Sequence, residues 1–106
     1  GLWRTGHHIA GCEADGSCDI HYSAPLGDET MVILEGSALI TETASGRTHR
    51  IGAGTILSHP KHVDLHWQID GPFLKKFWVI WDSPQAATRE DHLYVANISD
   101  EPAVWT

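Results

Sequence analysis

Val63-Asp64-Leu65-His66-Trp67-Gln68-Ile69-Asp70 alternates without a break between apolar and polar side chains. Successive side chains of an extended strand point to opposite faces. Val63, Leu65, Trp67 and Ile69 therefore share one face, and Asp64, His66, Gln68 and Asp70 the other. This is the pattern of a strand with one side on a core and one in water. Asp70-Gly71-Pro72 then turns the chain, and residues 73–81 return as a long strand. Leu74, Lys76, Trp78 and Ile80 lie on one of its faces; Phe73, Lys75, Phe77, Val79 and Trp81 lie on the other. Both faces are largely apolar, so one fills the interior and the other needs cover from a second sheet, the tail or another subunit.

Working outward, short apolar runs recur between glycine and proline punctuation, which points to an all-β barrel or sandwich. The spacing predicts strands over residues 2–10, 17–24, 29–35, 37–43, 47–51 and 55–58. Asp15-Gly16, Gly36, Ala44-Ser45-Gly46 and Gly52-Ala53-Gly54 mark turns between them. His59-Pro60-Lys61-His62 reads as a loop. Ser83-Pro84 looks like the cap and first residue of one short helix. Residues 93–106 have strand character without an obvious partner in the barrel. The expected organisation is a barrel over residues 1–82 and a C-terminal extension over residues 83–106, packed on the barrel or on a second subunit.

A chain of 106 residues fits a single core, and 42% hydrophobic with 20% charged residues is ordinary for a globular protein. Seven basic against fourteen acidic residues give a net charge of −7. That argues against a nucleic-acid backbone and against anionic membranes as partners. No run reaches the roughly 20 apolar residues needed to span a bilayer. The chain opens at Gly1 with no visible signal peptide. An incomplete N-terminus and a cytoplasmic location are the expectations. Cys12 and Cys18 flank the Asp15-Gly16 turn. They read as two free, partly buried thiols, with a disulfide across the hairpin as the alternative; a cysteine zinc site lacks its second half.

Asp28-Glu29-Thr30-Met31-Val32-Ile33-Leu34-Glu35-Gly36 resembles the first motif of the cupins. Gly52-Ala53-Gly54 followed by Pro60 resembles the second. Trp3, Trp67 and Lys75-Lys76-Phe77-Trp78 extend the likeness over residues 1–82. It is closest to small single-domain cupins such as (S)-ureidoglycine aminohydrolase and the ethanolamine-utilisation cupins. The resemblance implies a cupin jelly-roll β-barrel with at most one short helix after its last strand. It also implies a metal held by two histidines and a glutamate from the first motif and a histidine from the second. Only the glutamate survives, as Glu29. The histidine positions fall on Ser23 and Pro25, or on Tyr22 and Ala24, and the second-motif histidine falls on Leu65; His62 replaces a usual glycine. One carboxylate does not hold a transition metal, so no cofactor is expected. The alternative is a divalent metal such as manganese or zinc on Glu29, His21, His62 and His66, with His59 and His62 at the barrel mouth.

Glu29 pointing inward needs a partner or a proton. The resemblance suggests Lys76, on the last barrel strand. Glu29 and Lys76 are thus the candidate catalytic pair, although a structural ion pair fits them as well. Tyr22, Met31, His62, Leu65, Trp67 and Trp78 are the expected ligand-binding residues around them. The leading reading is a small-molecule-binding cupin, forming a homodimer. The alternatives are a hydrolase or isomerase on a ureido or amino-acid-like substrate, using a metal or Glu29 as general base, and a non-catalytic accessory subunit.

Overall fold

The computed structural model describes residues 1–82 and 92–98. Among the described residues nine strands run in chain order: β1 (Leu2–Arg4), β2 (Cys18–Tyr22), β3 (Asp28–Glu35), β4 (Ser37–Glu42), β5 (Thr48–Gly52), β6 (Thr55–His59), β7 (Leu65–Ile69), β8 (Lys75–Trp81) and β9 (Tyr94–Asn97). They form two antiparallel sheets, one in the order β1-β8-β3-β6-β9 and the other β2-β7-β4-β5. Among the described residues there is no helix, and the architecture is the expected all-β jelly roll. The helix expected at Ser83-Pro84 lies outside the described residues.

The alternation that decided the fold sets the core. Leu65, Trp67 and Ile69 of β7 face inward beside Ala38 and Ile40 of β4, opposite Met31, Ile33 and Leu57 of the other sheet. Ile40, Leu57 and Leu65 are fully buried, and each contributes about 1.5–3 kcal/mol. Gly36, between β3 and β4, has φ 90°. A Cβ there would run into the carbonyl oxygen of Phe73, so this turn requires glycine on two counts.

Three expectations change. The first strand ends at Arg4 rather than continuing to residue 10. Thr5 is fully buried and locked to Leu74: its amide donates to the Leu74 carbonyl at 2.9 Å, and its Oγ1 accepts from the Leu74 amide at 2.7 Å. Beyond it, Gly6-His7-His8 offers no apolar alternation to extend a ladder, and the chain coils through turns closed by the Ile9 and Cys12 amides.

Second, Cys12 and Cys18 are not free thiols; they form a disulfide. Gly16 turns the chain at φ 84°, and Asp15 accepts from the amide and hydroxyl of Ser17, which brings residues 12 and 18 opposite one another. Disulfides persist in oxidising compartments, so the cytoplasmic expectation loses the support that free thiols would have lent it. Among the described residues no helix is long and apolar enough to cross a membrane.

Third, the described part of the tail has a partner. β9 pairs with β6, with Thr55 opposite Asn97 and Ser58 opposite Tyr94. Leu93 is buried, and its amide donates to Glu42 Oε1 at 2.9 Å. Glu42 also meets His49 at 3.0 Å and Arg47 at 3.8 Å. Burial opposes its charge, but these partners outweigh burial and lower its pKa. Among the described residues the outer face of β8 is apolar and lacks cover: Phe77, Val79 and Trp81 are exposed, with Leu2 beside Phe77.

Candidate functional site

A cavity of about 340 Å³ opens between the two sheets. Ile20 and Tyr22 of β2 and Trp67 and Ile69 of β7 form one wall. Trp3 of β1, Glu29 of β3 and Lys76, Trp78 and Ile80 of β8 form the other. Leu26, exposed in the β2–β3 loop, stands at the mouth. Strand periodicity explains the set: residues two apart on each strand face inward together.

The register brings Glu29 and Lys76 together. Glu29 lies opposite Ile80, Met31 opposite Trp78 and Ile33 opposite Lys76. The lysine must therefore run diagonally along the inner face to reach the glutamate. Its Nζ passes Met31 Sδ at 3.6 Å and donates to Glu29 Oε1 at 3.3 Å. Aromatic rings surround the ammonium, with Trp3, Trp67 and Tyr22 centroids at 5.0, 5.2 and 5.9 Å. Such contacts suit a desolvated cation. Burial still pulls the Lys76 pKa down, against the charge and hydrogen bond of Glu29.

The pair is incompletely satisfied. Glu29 Oε2 is buried and makes no well-formed hydrogen bond among the described residues. Tyr22 faces the same carboxylate. Burial first, then the Glu29 charge and its pull on the phenolic proton, push the Tyr22 pKa up to about 12. The hydroxyl therefore stays protonated at neutral pH, ready to donate.

Of the expected ligand-binding residues, Tyr22, Trp67 and Trp78 line the cavity. Met31 lies beneath it, fully buried, in contact with Lys76. Leu65 is a core residue that borders a separate shallow depression with Ser23, Thr43 and Asp64. His62 is exposed in the β6–β7 loop at φ 69°, its amide donating to Ser23 O at 2.8 Å. That conformation is the one the resemblance assigns to glycine.

The alternative metal set does not assemble. His21 and His66 are opposite one another on the outer face of β2 and β7, their rings stacked at 4.2 Å. Their partner is Asp19, 2.7 Å from His66, and the ligand atoms of these three lie within 4.8 Å of one another. Neither histidine shares a face with Glu29. Within the barrel, Glu29 already holds an ammonium, so the donor set does not fit the metal that the cupin resemblance implies. Lys76 supplies a tethered positive charge to the carboxylate.

His59 was expected at the mouth and is instead fully buried. It ends β6 directly opposite Glu29, with Tyr22 edge-on at 5.7 Å. Its Nε2 meets the Val63 carbonyl, while Nδ1 has no partner among the described residues. Burial lowers its pKa and keeps the ring neutral. The signal lay in the period of two: His59 follows Thr55 and Leu57 on one face. Trp3, Ile20, Ile69 and Ile80 also went unassigned, because which face of a strand lines a cavity depends on the sheet opposite.

No protein-family model and no curated protein matches the chain. Among solved structures it is similar to a DUF861 family protein from Thermotoga maritima, with a TM-score of 0.60 and 18% identity. The likeness covers 76% of this chain and 77% of that one. It is a likeness of fold, and agrees with the cupin-like jelly roll described above.

Proposed function

We propose that this chain is a small-molecule-binding cupin whose ligand lies over the Glu29–Lys76 pair. The observation that carries this reading is an open, largely apolar cavity with a charged pair on its wall and one carboxylate oxygen, Glu29 Oε2, lacking a well-formed hydrogen bond. Leaving a buried acceptor unmatched costs about 1–3 kcal/mol, which a ligand N–H removes. Trp3, Trp67 and Trp78 supply the apolar contact, and Tyr22 turns its hydroxyl toward Glu29. A compact molecule with an amide or ureido group fits these demands, in keeping with the ureido and amino-acid-like metabolites suggested by the sequence resemblance. Glu29 beside Tyr22 also favours a second reading, in which the carboxylate acts as general base on such a ligand.

The test is a screen of small ureido acids, amides and amino acids by NMR of the tryptophan indole N–H groups. Binding should shift the signals of Trp3, Trp67 and Trp78 and leave Trp81, on the outer face, unmoved. A panel that moves none of the three, or moves Trp81 equally, refutes the assignment.

A further inference from the structure

We infer that Lys76 captures small aldehydes or ketones in the cavity as a reversible imine. This rests on the cavity being a ligand site and adds a covalent step to it. The chain has three lysines, Lys61, Lys75 and Lys76. Lys61 is held by Asp82 at 2.9 Å near the surface. Lys75 lies opposite Glu35, away from the cavity wall. Lys76 alone of the three lines the cavity.

Its surroundings suit each stage of imine formation. Burial pulls the Lys76 pKa down, which raises the share of free amine, the nucleophilic form. Glu29 Oε1 sits 3.3 Å from Nζ, placed to take the ammonium proton. The nitrogen lone pair then adds to the carbonyl carbon as the C–O π bond breaks, and the proton that the nitrogen sheds passes to the carbonyl oxygen to give a carbinolamine. Protonated Glu29 returns its proton to that hydroxyl, which leaves as water while the C=N bond forms. The balance is one ammonium and one carbonyl giving one iminium and one water, with Glu29 ending as the carboxylate. Tyr22, protonated up to about pH 12, is a hydrogen-bond donor for the departing oxygen. The iminium keeps the positive charge, so Glu29 and the rings of Trp3 and Trp67 that hold the ammonium also suit the product. Lys76 is buried, yet it lies with three tryptophans on the wall of a cavity that opens at its mouth.

The experiment uses the full chain with butanal or benzaldehyde, sodium cyanoborohydride to trap the imine, and peptide mass mapping. Labelling at Lys76 should exceed that at Lys61 several-fold, because Lys76 alone of the three lysines lies on the wall of the cavity that would hold the carbonyl compound. Glu29→Gln removes the charge that holds the Lys76 pKa up, so the pH profile of labelling at Lys76 should move to lower pH while that at Lys61 stays; Tyr22→Phe provides a second variant, with a modest loss of labelling at Lys76 alone. Benzyl alcohol, which cannot form an imine, is followed in parallel by the indole N–H signals. Benzyl alcohol shifting Trp67 and Trp78 while Lys76 labels no faster than Lys61 overturns the covalent step and leaves the ligand site standing. Neither shifts nor selective labelling overturns both.

Discussion

Replacing Lys76 by methionine removes the charge and preserves most of the side-chain volume. The side chains of Glu29 and Lys76 are only 4% and 10% exposed, so the change strands a carboxylate in a poorly solvated place. Breaking a buried pair from one side costs about 3–5 kcal/mol. Protonation sets a ceiling: neutralising a carboxylic acid of ordinary pKa, about 4.3, costs about 3.7 kcal/mol at pH 7. The cavity admits some water, so about 3 kcal/mol is expected, a fall in Tm of roughly 12 °C. The pH dependence has a definite sign. As pH falls the variant's folded state takes up a proton before its unfolded state does, so its deficit relative to the parent shrinks, with a slope that approaches about 1.4 kcal/mol per pH unit. Glu29→Gln together with Lys76→Met should recover much of the loss, since a neutral amide needs no counter-charge. Urea denaturation of the parent, both single variants and the double variant, at pH 7 and pH 5.5, measures all of this. If Lys76→Met unfolds within about 0.5 kcal/mol of the parent, or if its deficit is the same at both pH values, the buried-pair reasoning is wrong.

Alkaline titration should show Tyr22 ionising late, near pH 12. Its folded pKa lies above the unfolded value, so stability falls between about pH 10 and pH 12; ultraviolet difference spectra of the parent and Tyr22→Phe test this. At the acid end the sign reverses. His59 is held neutral in the fold, with its pKa lowered chiefly by burial, so stability should decline as pH drops below about 6.5, and His59→Gln should flatten that limb in urea titrations. Elemental analysis of untagged protein should find well under one equivalent of manganese, iron, nickel or zinc; stoichiometric metal lost on Glu29→Gln would refute the assignment of that carboxylate to Lys76. The exposed Phe77, Val79 and Trp81 face should pair with a second copy, giving a dimer by sedimentation that Phe77→Ser with Trp81→Ser dissociates. A parent that sediments as a monomer at micromolar concentration would count against this.

Much of the fold was legible because strand periodicity is local. Residues 63–70 announced their two faces, and the structure keeps Leu65, Trp67 and Ile69 inside. Glu29 was legible as an inward-facing charge through the cupin resemblance, and Lys76 through the face it shares with Leu74, Trp78 and Ile80. What failed was set by contacts distant in sequence. Thr5 stops the first strand by bonding Leu74, and the tail strand finds β6. Glu42 is buried with Arg47, His49 and the Leu93 amide converging on it.

The sequence by itself therefore determined the β class, the turn positions and which residues share a face, because each depends on backbone geometry over two to four residues. Only the tertiary structure decided which faces meet. Pairing Glu29 with His59 on one side and Ile80 on the other, while sending His21 and His66 outward to Asp19, depends on the register of strands up to about fifty residues apart. A shift of one residue in that register would invert the set, so the cavity, its charged pair and its aromatic wall are properties of the closed sheets.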